Sequence, residues 1–303
     1  MAFTVTQPNF NGKASGYYIS AALNDAKSLD YMTVLENVKY KMNIQTMAGS
    51  GLVADNICNY TSAGNLALQE KTITPKSLMV NLDICKETLL TSYEALQMKA
   101  GRTAGAPVSF EDYVISYVGE IIADSTETSI WQGTGAAGNF NGFLGAATGW
   151  LLPGVDGTVV QDAASGAYTA GNIIANLQSL SAAIPSAVYG KEDLHIYMNM
   201  KTYRFYISAV STLGYVNAYN MNGDYEPVFE GVKIAPVYGL PDNQMVAALK
   251  GDLFFGTDLL SDSGSSITLL DMADKDGSDN IRLIARYTAG TQTGIGANIV
   301  RQS

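Results

Sequence analysis

Residues 109–131 read SFEDYVISYVGEIIADSTETSIW, and this stretch decides the fold. Its apolar residues recur in pairs four positions apart, which places them on one stripe of a helix of about six turns. The pairs are Tyr113/Val114, Tyr117/Val118 and Ile121/Ile122, with Ile130/Trp131 at the far end. Ser109 is the predicted N-cap, with Asp112 in the capping-box position. Because Glu120, Asp124 and Glu127 fall outside the stripe, the pattern predicts a long helix lying along a sheet or core.

The chain before this helix predicts an arm, a helix and a projecting hairpin. Residues 1–23 show no period that would anchor them to a core, which predicts an extended arm, and Asn24–Asn37 has the spacing of a short helix. Residues 40–83 alternate around Gly-rich turns and hold few large apolar residues. Neither face of such a hairpin can bury much within its own chain, so we expect it to need a partner. A further helix is predicted over Lys86–Lys99.

The chain after this helix mixes helices and strands without a regular βαβ rhythm, which indicates the α+β class. Asn172 and Asn199 are predicted to cap two helices, the first stopping near Pro185 and the second covering Met200–Val210. Five strands are predicted, and in the first of them apolar and more polar residues alternate. They are Leu194–Asn199, Val232–Tyr238, Met245–Leu249, Ser266–Leu270 and Ile281–Tyr287.

Composition excludes several classes of function. The 303 residues carry 18 basic and 28 acidic side chains, a net charge of −10, which argues against binding to phosphate backbones or anionic membranes. No signal peptide or membrane-spanning run is recognisable, so we expect a protein that stays in a cytoplasm. Charged residues are only 15%, while tyrosines number 18 and methionines 11. Since both types are enriched at interfaces, this balance favours an obligate assembly over a catalyst, with core packing as the simpler alternative.

Three motifs suggest cofactors or metals, and each has the wrong context. Gly133–Gly138 fits G-x-G-x-x-G but ends a helix, where a dinucleotide site would begin one, so we interpret it as a flexible helix exit. Asp274–Asp279 resembles a calcium loop without its closing acid and between strands, which favours an acidic turn. Cys58 and Cys85 match no zinc or redox spacing and are interpreted as buried or incidental thiols, with a disulfide less favoured. We therefore expect neither a cofactor nor a metal.

His195 is the single histidine and the one candidate for catalysis. It is predicted to lie on the more polar face of its strand with Asp193 and Tyr197, without a nucleophile motif. A surface or interface histidine is the favoured interpretation, and a monomeric enzyme with a site near His195 is the alternative.

The order of these parts resembles the major capsid proteins of tailed bacteriophages, which have the Hong Kong 97 fold. Short sequence segments are similar too. Trp131–Gly135 with Asn141–Ala146 resembles that family's exit from its long helix, and Met198–Tyr203 resembles its strand-to-helix step. Val232–Leu240 with Gly256–Leu260 resembles its late axial strands, and Asn280–Arg286 its closing peripheral strand.

The resemblance implies a division of the chain. Residues 1–23 would form an N-terminal arm and 40–83 the extended hairpin that overlaps a neighbouring subunit. Residues 84–154 and 263–303 would form a peripheral domain containing the spine helix 109–131, and 155–262 an axial domain at the capsomer centre.

The function implied is a structural protein, not an enzyme. It would assemble through hexamers and pentamers into an icosahedral head, made in the host cytoplasm and found in the virion, that encloses DNA without sequence-specific binding. Scaffolding, portal and decoration proteins are the implied partners. An encapsulin-like nanocompartment shell is the alternative. Some members crosslink through a lysine of the hairpin, which makes Lys71 and Lys76 candidates, although an exposed lysine is usually only solvated.

Overall fold

The computed structural model describes residues 27–53, 55, 58, 64–85, 110–212, 227–258, 267–272, 275, 277, 278 and 280–303. The predicted arm and the predicted helix Lys86–Lys99 lie outside these residues. Within them the chain forms three α-helices: α1 (Phe110–Gln132), α2 (Ile173–Ala183) and α3 (Met200–Thr212). None of these helices combines the length and apolarity that crossing a bilayer requires.

Thirteen strands are described in the same residues, and they build three sheets. In chain order they are β1 (Thr33–Glu36), β2 (Met42–Ser50), β3 (Asn65–Ile73), β4 (Lys76–Cys85), β5 (Val160–Asp162), β6 (Leu194–Asn199), β7 (Val228–Phe229), β8 (Val232–Val237), β9 (Met245–Leu249), β10 (Leu253–Thr257), β11 (Ile267–Asp271), β12 (Asn280–Thr293) and β13 (Val300–Gln302).

The first sheet is organised by the 14-residue strand β12. β4 pairs with it along one side over Asn280–Ala289, while β11 and β10 share its other side, and β1 adds in parallel to β10. We call this the β12 sheet. The predicted strand Ile281–Tyr287 was therefore right in kind and too short, because its pairing continues along β10.

The second sheet has the order β5-β13-β9-β6-β8-β7 and is called the β6 sheet. Residues from its two faces enter different cores. Tyr197, Val237 and Val246 pack with α1 and the β12 sheet, while Ile196 and Met198 pack with α2 and α3. The predicted strands Val232–Tyr238 and Met245–Leu249 are confirmed to within a residue, but β6 lies between them.

The long helix is confirmed, with α1 covering Phe110–Gln132. The N-cap prediction at Ser109 lies outside the described residues. Ile130 and Trp131 are fully buried, but Ile121 is exposed. Glu127 was predicted to lie outside the apolar stripe, and it is buried.

Glu127 is buried because two other segments cross α1 at this point and bring donors to its carboxylate. The backbone N–H and the hydroxyl of Ser28 donate to it at 3.1 and 2.6 Å. The N–H groups of Tyr238 and Gly239 donate at 3.2 and 3.3 Å. A carboxylate with four donors is tolerated in a core where an unpaired one is not. Glu127 therefore ties the N-terminal turn and the segment after β8 to α1.

The predicted helix Asn24–Asn37 is wrong beyond its first turns. Lys27–Tyr31 forms a short 3-10 helix, after which Thr33–Glu36 is the strand β1, paired with Leu253–Thr257. Residues with β-branched side chains such as Thr33 and Val34 favour strands, and pairing with β10 outweighs a weak local helical period.

The α2 and α3 predictions are confirmed, with Asn199 Oδ1 accepting from the N–H of Lys201 at 2.9 Å. Asn172 precedes α2 but makes no side-chain cap.

Strand pairing crosses three of the predicted domain boundaries. The hairpin strands are β2 and β3, so the hairpin ends at Ile73, and residues 76–83 belong to the β12 sheet as part of β4. β10 also joins the β12 sheet, although 155–262 was predicted as one domain. The C-terminal strand β13 lies in the β6 sheet between β5 and β9. Each of these segments pairs with a strand distant in sequence, which local patterns do not reveal.

The Gly133–Gly138 segment is a hydrogen-bonded loop rather than a flexible exit. Gly133 donates to Ser129, and the carbonyl of Gly133 accepts from Gly142. A Cβ on Gly133 would lie 2.1 Å from the carbonyl oxygen of Phe140, so only glycine permits this approach.

Candidate assembly interface

The β2/β3 hairpin is the part of the described chain that buries least. Its strands pair in register from Met42 opposite Ile73 to Ser50 opposite Asn65. We call residues 42–53 and 64–73 the projecting hairpin. Most of these residues are exposed, and Ile73, at the root, is fully buried.

One face of the projecting hairpin is polar near the root and apolar near the tip. Near the root, Glu70 accepts from Gln45 at 2.9 Å and from Asn43 at 3.4 Å, and Asn43 accepts from Thr72 at 2.9 Å. These bonds join one hairpin strand to the other. They stiffen the root without burying apolar surface.

The apolar end of that face is large for a solvent-exposed surface. The exposed fractions are 63% for Met47, 57% for Leu66, 56% for Leu68, 57% for Leu52 and 96% for Val53. We call these five residues the apolar tip. Leu52 and Leu66 lie beside Gly49, where a Cβ would be 2.9 Å and 3.3 Å from their Cδ1 atoms. A contiguous exposed apolar patch is typical of a protein interface.

The β12 sheet exposes a second apolar residue set on its strand β4. Met79 is 67% exposed, Leu82 is partly exposed, and Arg286 lies opposite Met79 on β12. No strand among the described residues pairs with the outer side of β4. An unprotected strand edge is a second feature that favours association between chains.

The two lysines proposed for crosslinking both contact their own chain. Lys71 Nζ lies 2.6 Å from Asp156 Oδ2 and 3.2 Å from Thr293 Oγ1. Lys76 Nζ donates to the carbonyl oxygens of Gly135 and Ala136 at 2.7 and 2.5 Å. Burial alone would raise the pKa of Asp156, but hydrogen bonds from Lys71 and Thr158 outweigh it and lower that pKa. Lys71 is thus an ion-paired residue at the hairpin root.

His195 does not lie on an exposed face, which corrects the prediction of a surface histidine. β6 is a central strand covered on both sides, so its alternation of polar and apolar residues does not mark an exposed face. His195 Nδ1 lies 2.9 Å from the carbonyl oxygen of Asp193, and its ring packs beside Tyr31 and Tyr197. Burial is the main cause that lowers the pKa of His195. The Tyr197 hydroxyl donates to the carbonyl of Tyr31, so its hydrogen is already engaged.

The remaining motif residues give no second site. Cys58 is an exposed free thiol, which fits the interpretation as an incidental thiol and not as a buried one. β11 and β12 pair as antiparallel strands around the Asp274–Asp279 segment, half of which lies outside the described residues. Among the described residues, no group of three or more His, Cys, Asp or Glu side chains is placed to hold a metal ion.

Comparison with known proteins identifies the fold through structure rather than sequence. No protein-family profile and no curated protein sequence matches the chain. The capsid of a native GTA particle matches with a TM-score of 0.58 at 13% identity, over 100% of this chain and 95% of the other. The capsid of Myoviridae phage XM1 matches at 0.55 and 12% identity, over 100% and 94%. The virus-like particle from Pyrococcus furiosus matches at 0.53 and 10% identity, over 95% and 96%. The chain therefore has the α+β fold of these shell subunits, the Hong Kong 97 type.

Proposed function

We propose that this chain is a major capsid protein of a tailed bacteriophage that assembles through hexamers and pentamers into the icosahedral head around the viral DNA. The observation that carries this proposal is the extent of the fold match, which covers 99–100% of the chain against capsid subunits from several particles. A match over part of the chain would indicate only a shared domain. This one includes both sheets, the long helix and the projecting hairpin.

The uneven burial of the chain supports the same function. The two cores are closed by α1, α2 and α3, whereas the apolar tip contacts nothing within the described chain that buries it. Contacts between a projecting element and a different surface of the next copy are heterologous, and such contacts form rings when the rotation from one copy to the next closes. In this proposal the hairpin overlaps a neighbouring subunit. The β12 sheet with α1 serves as the peripheral domain and the β6 sheet as the axial domain.

The charge balance supports a wall that encloses DNA without binding it tightly. A net charge of −10 provides few cations for counterion release. In this proposal the capsid wall encloses the DNA, and other components package the DNA into the head. A scaffolding protein, a portal and decoration proteins are the proposed partners, and no catalytic role is proposed.

Light scattering of the purified protein, with electron microscopy of the same fractions, tests the function. We expect rings, tubes or closed shells built from the 32.2 kDa chain. A chain that stays monomeric across concentration and salt, even with its scaffolding partner supplied, contradicts the proposal. The contents of the particles test the nanocompartment alternative: a head holds DNA, and a nanocompartment holds a cargo protein.

Removing residues 49–64 tests the role of the hairpin. We expect soluble, folded subunits that no longer close shells, because the outer end of the hairpin is lost together with Leu52 and Val53 of the apolar tip, and the cores are untouched. Normal particles from this variant would show that the hairpin does not hold neighbours together.

The contacts of Lys71 and Lys76 bear on crosslinking. An isopeptide bond from either amine requires that amine to leave its present partners, so we propose a shell held by non-covalent contacts. Boiled particles in detergent are then expected to migrate as a single 32.2 kDa chain. A ladder of multiples that disappears in Lys71→Arg or Lys76→Arg would establish the crosslink instead.

A further inference from the structure

Among the described residues, the projecting hairpin is fastened to the body at its root. Lys71 contacts Asp156 and Thr293, and Gln292 Nε2 donates to the carbonyl of Thr72 at 2.9 Å. Ile73 follows and is fully buried. Outward of Lys71, the side-chain hydrogen bonds of the described hairpin residues run from one hairpin strand to the other. The hairpin is therefore a lever whose attachment lies at residues 71–73.

A cavity of about 450 Å³ separates the lever from the body just beyond this attachment. The hairpin side is lined by Thr46 and Gln69, and the body side by Trp150, Val155 and Ile295. The indole N–H of Trp150 is buried and has no acceptor among the described residues. The cavity leaves room for the hairpin to move relative to the body.

The body half of the ion pair is held firmly. Asp156 accepts from the N–H and the hydroxyl of Thr158 at 3.0 and 2.5 Å. The segment between β12 and β13 packs directly against Asp156, since a Cβ on Gly296 would lie 2.3 Å from Thr158 Oγ1 and 2.7 Å from Asp156 Oδ2. The side chains of Lys71 and Asp156 are only 29% and 15% exposed, so solvent screens this pair less than a surface pair.

From these contacts we infer that Lys71 and Asp156 are a positioning pair that sets the angle of the projecting hairpin. The pair fixes the angle of the hairpin above the cavity, and its loss lets the hairpin take up a wider range of angles. The role of this angle in assembly rests on the proposed function, because in a shell the angle decides where the apolar tip meets the neighbouring chain. Hexamers and pentamers present that neighbour at different angles, and a hairpin attached at its root can be set differently in each.

Distance measurement by electron paramagnetic resonance tests the inference without requiring shells. Spin labels are attached to Ser50→Cys on the hairpin and Gln178→Cys on α2, both exposed positions, in a chain whose Cys58 and Cys85 are serine. Labelled chains are diluted into unlabelled chains so that only distances within one chain are measured. The variants are Lys71→Met, Asp156→Asn and the exchange Lys71→Asp with Asp156→Lys.

The matched control is the pair formed by Lys201 and Asp242, whose 2.8 Å contact is on the surface of the body. Lys201→Met and Asp242→Asn remove the same kinds of charge away from the hairpin.

We expect the distance distribution to become roughly twice as broad, or to gain a second maximum, in Lys71→Met and Asp156→Asn. The exchanged pair is expected to restore a narrow distribution, and the control variants are expected to keep the original one. A merely structural pair would lower the unfolding midpoint and leave the distribution narrow, which overturns the inference. An unchanged distribution in Lys71→Met overturns it as well, even if that variant forms shells. If the distances change as expected but the original chain never assembles, the capsid function fails and the positioning pair stands.

Discussion

The β6 sheet and the projecting hairpin are both strands of one chain, yet they bury their side chains in opposite ways. Tyr197 and Met198 of β6 are fully buried, whereas Met47 and Leu68 of the hairpin are more than half exposed. The difference teaches that strand formation and burial are separate events. β6 is covered by helices and strands of its own chain. The hairpin forms its backbone ladder and leaves its apolar surface for another molecule.

This contrast predicts that the free energy of unfolding is concentrated in the body. The largest effect is expected for Trp131→Ala. Trp131 is fully buried, packs against Phe143 and Tyr197, and donates its indole N–H to Ser28 at 2.7 Å. Truncation should lower the free energy of unfolding by about 3–5 kcal/mol, measured by urea unfolding of dissociated subunits.

Tyr40→Ala is the control for this prediction, since Tyr40 is 79% exposed. It should change the free energy of unfolding by less than about 0.5 kcal/mol. Equal losses in the two variants would mean that the body is not the stable region.

A smaller effect is expected for Glu127→Gln. The amide has one oxygen, so its NH₂ group must face an N–H donor of Ser28 or of the Tyr238–Gly239 segment. We expect a loss of about 2–3 kcal/mol in the free energy of unfolding. Glu120→Gln, on an exposed part of the same helix, is the matched control and should be nearly neutral. A neutral Glu127→Gln would show that the four hydrogen bonds do not join the segments.

The hairpin should separate stability from assembly. Replacing Leu66 and Leu68 together by serine is expected to change the free energy of unfolding by less than about 0.5 kcal/mol, because neither side chain is buried in its own chain. The yield of closed shells, measured by sedimentation, should fall strongly because the apolar tip becomes polar. Ala67→Ser, at the exposed position between them, should assemble normally. A large loss of stability would place the tip in the core of its own subunit.

The smallest effect concerns acid sensitivity at His195. Burial lowers the pKa of His195 from 6.5, Lys233 and Lys250 lower it further, and Asp193 partly opposes them. The folded chain thus binds fewer protons at this site than the unfolded chain. Its stabilising contribution is complete above pH 6.5 and is lost as the pH falls. Urea unfolding at several pH values should show a shallower acid decline in His195→Gln. Parallel curves would show that His195 remains solvated.

Much of the fold could be predicted from local patterns. α1 and β9 were predicted to within a residue, and the order of elements was sufficient to suggest the fold that the structural matches show. The hairpin strands were predicted as projecting because their sequence holds few large apolar residues. These features depend on neighbours along the chain, which the sequence presents directly.

The errors share one physical cause. Thr33–Glu36 is a strand because β10 lies beside it, and Glu127 is buried because Ser28 and Gly239 bring donors to it. Residues 76–83 lie in the β12 sheet, and the C-terminal strand β13 lies in the β6 sheet, because each pairs with a strand distant in sequence. His195 is buried because β6 is covered on both faces. None of these partners is identified by local spacing.

The sequence by itself determined the α+β class, the long helix, the net charge of −10 and the presence of a hairpin that buries little surface within its own chain. Local periodicity and composition are sufficient for each of these. Only the tertiary structure decided which strands share a sheet, that Lys71 reaches Asp156, and that the hairpin stands over a cavity at its root. Those contacts join residues distant in sequence, such as Lys71 and Asp156, which are 85 positions apart. They stabilise the chain only once it has folded.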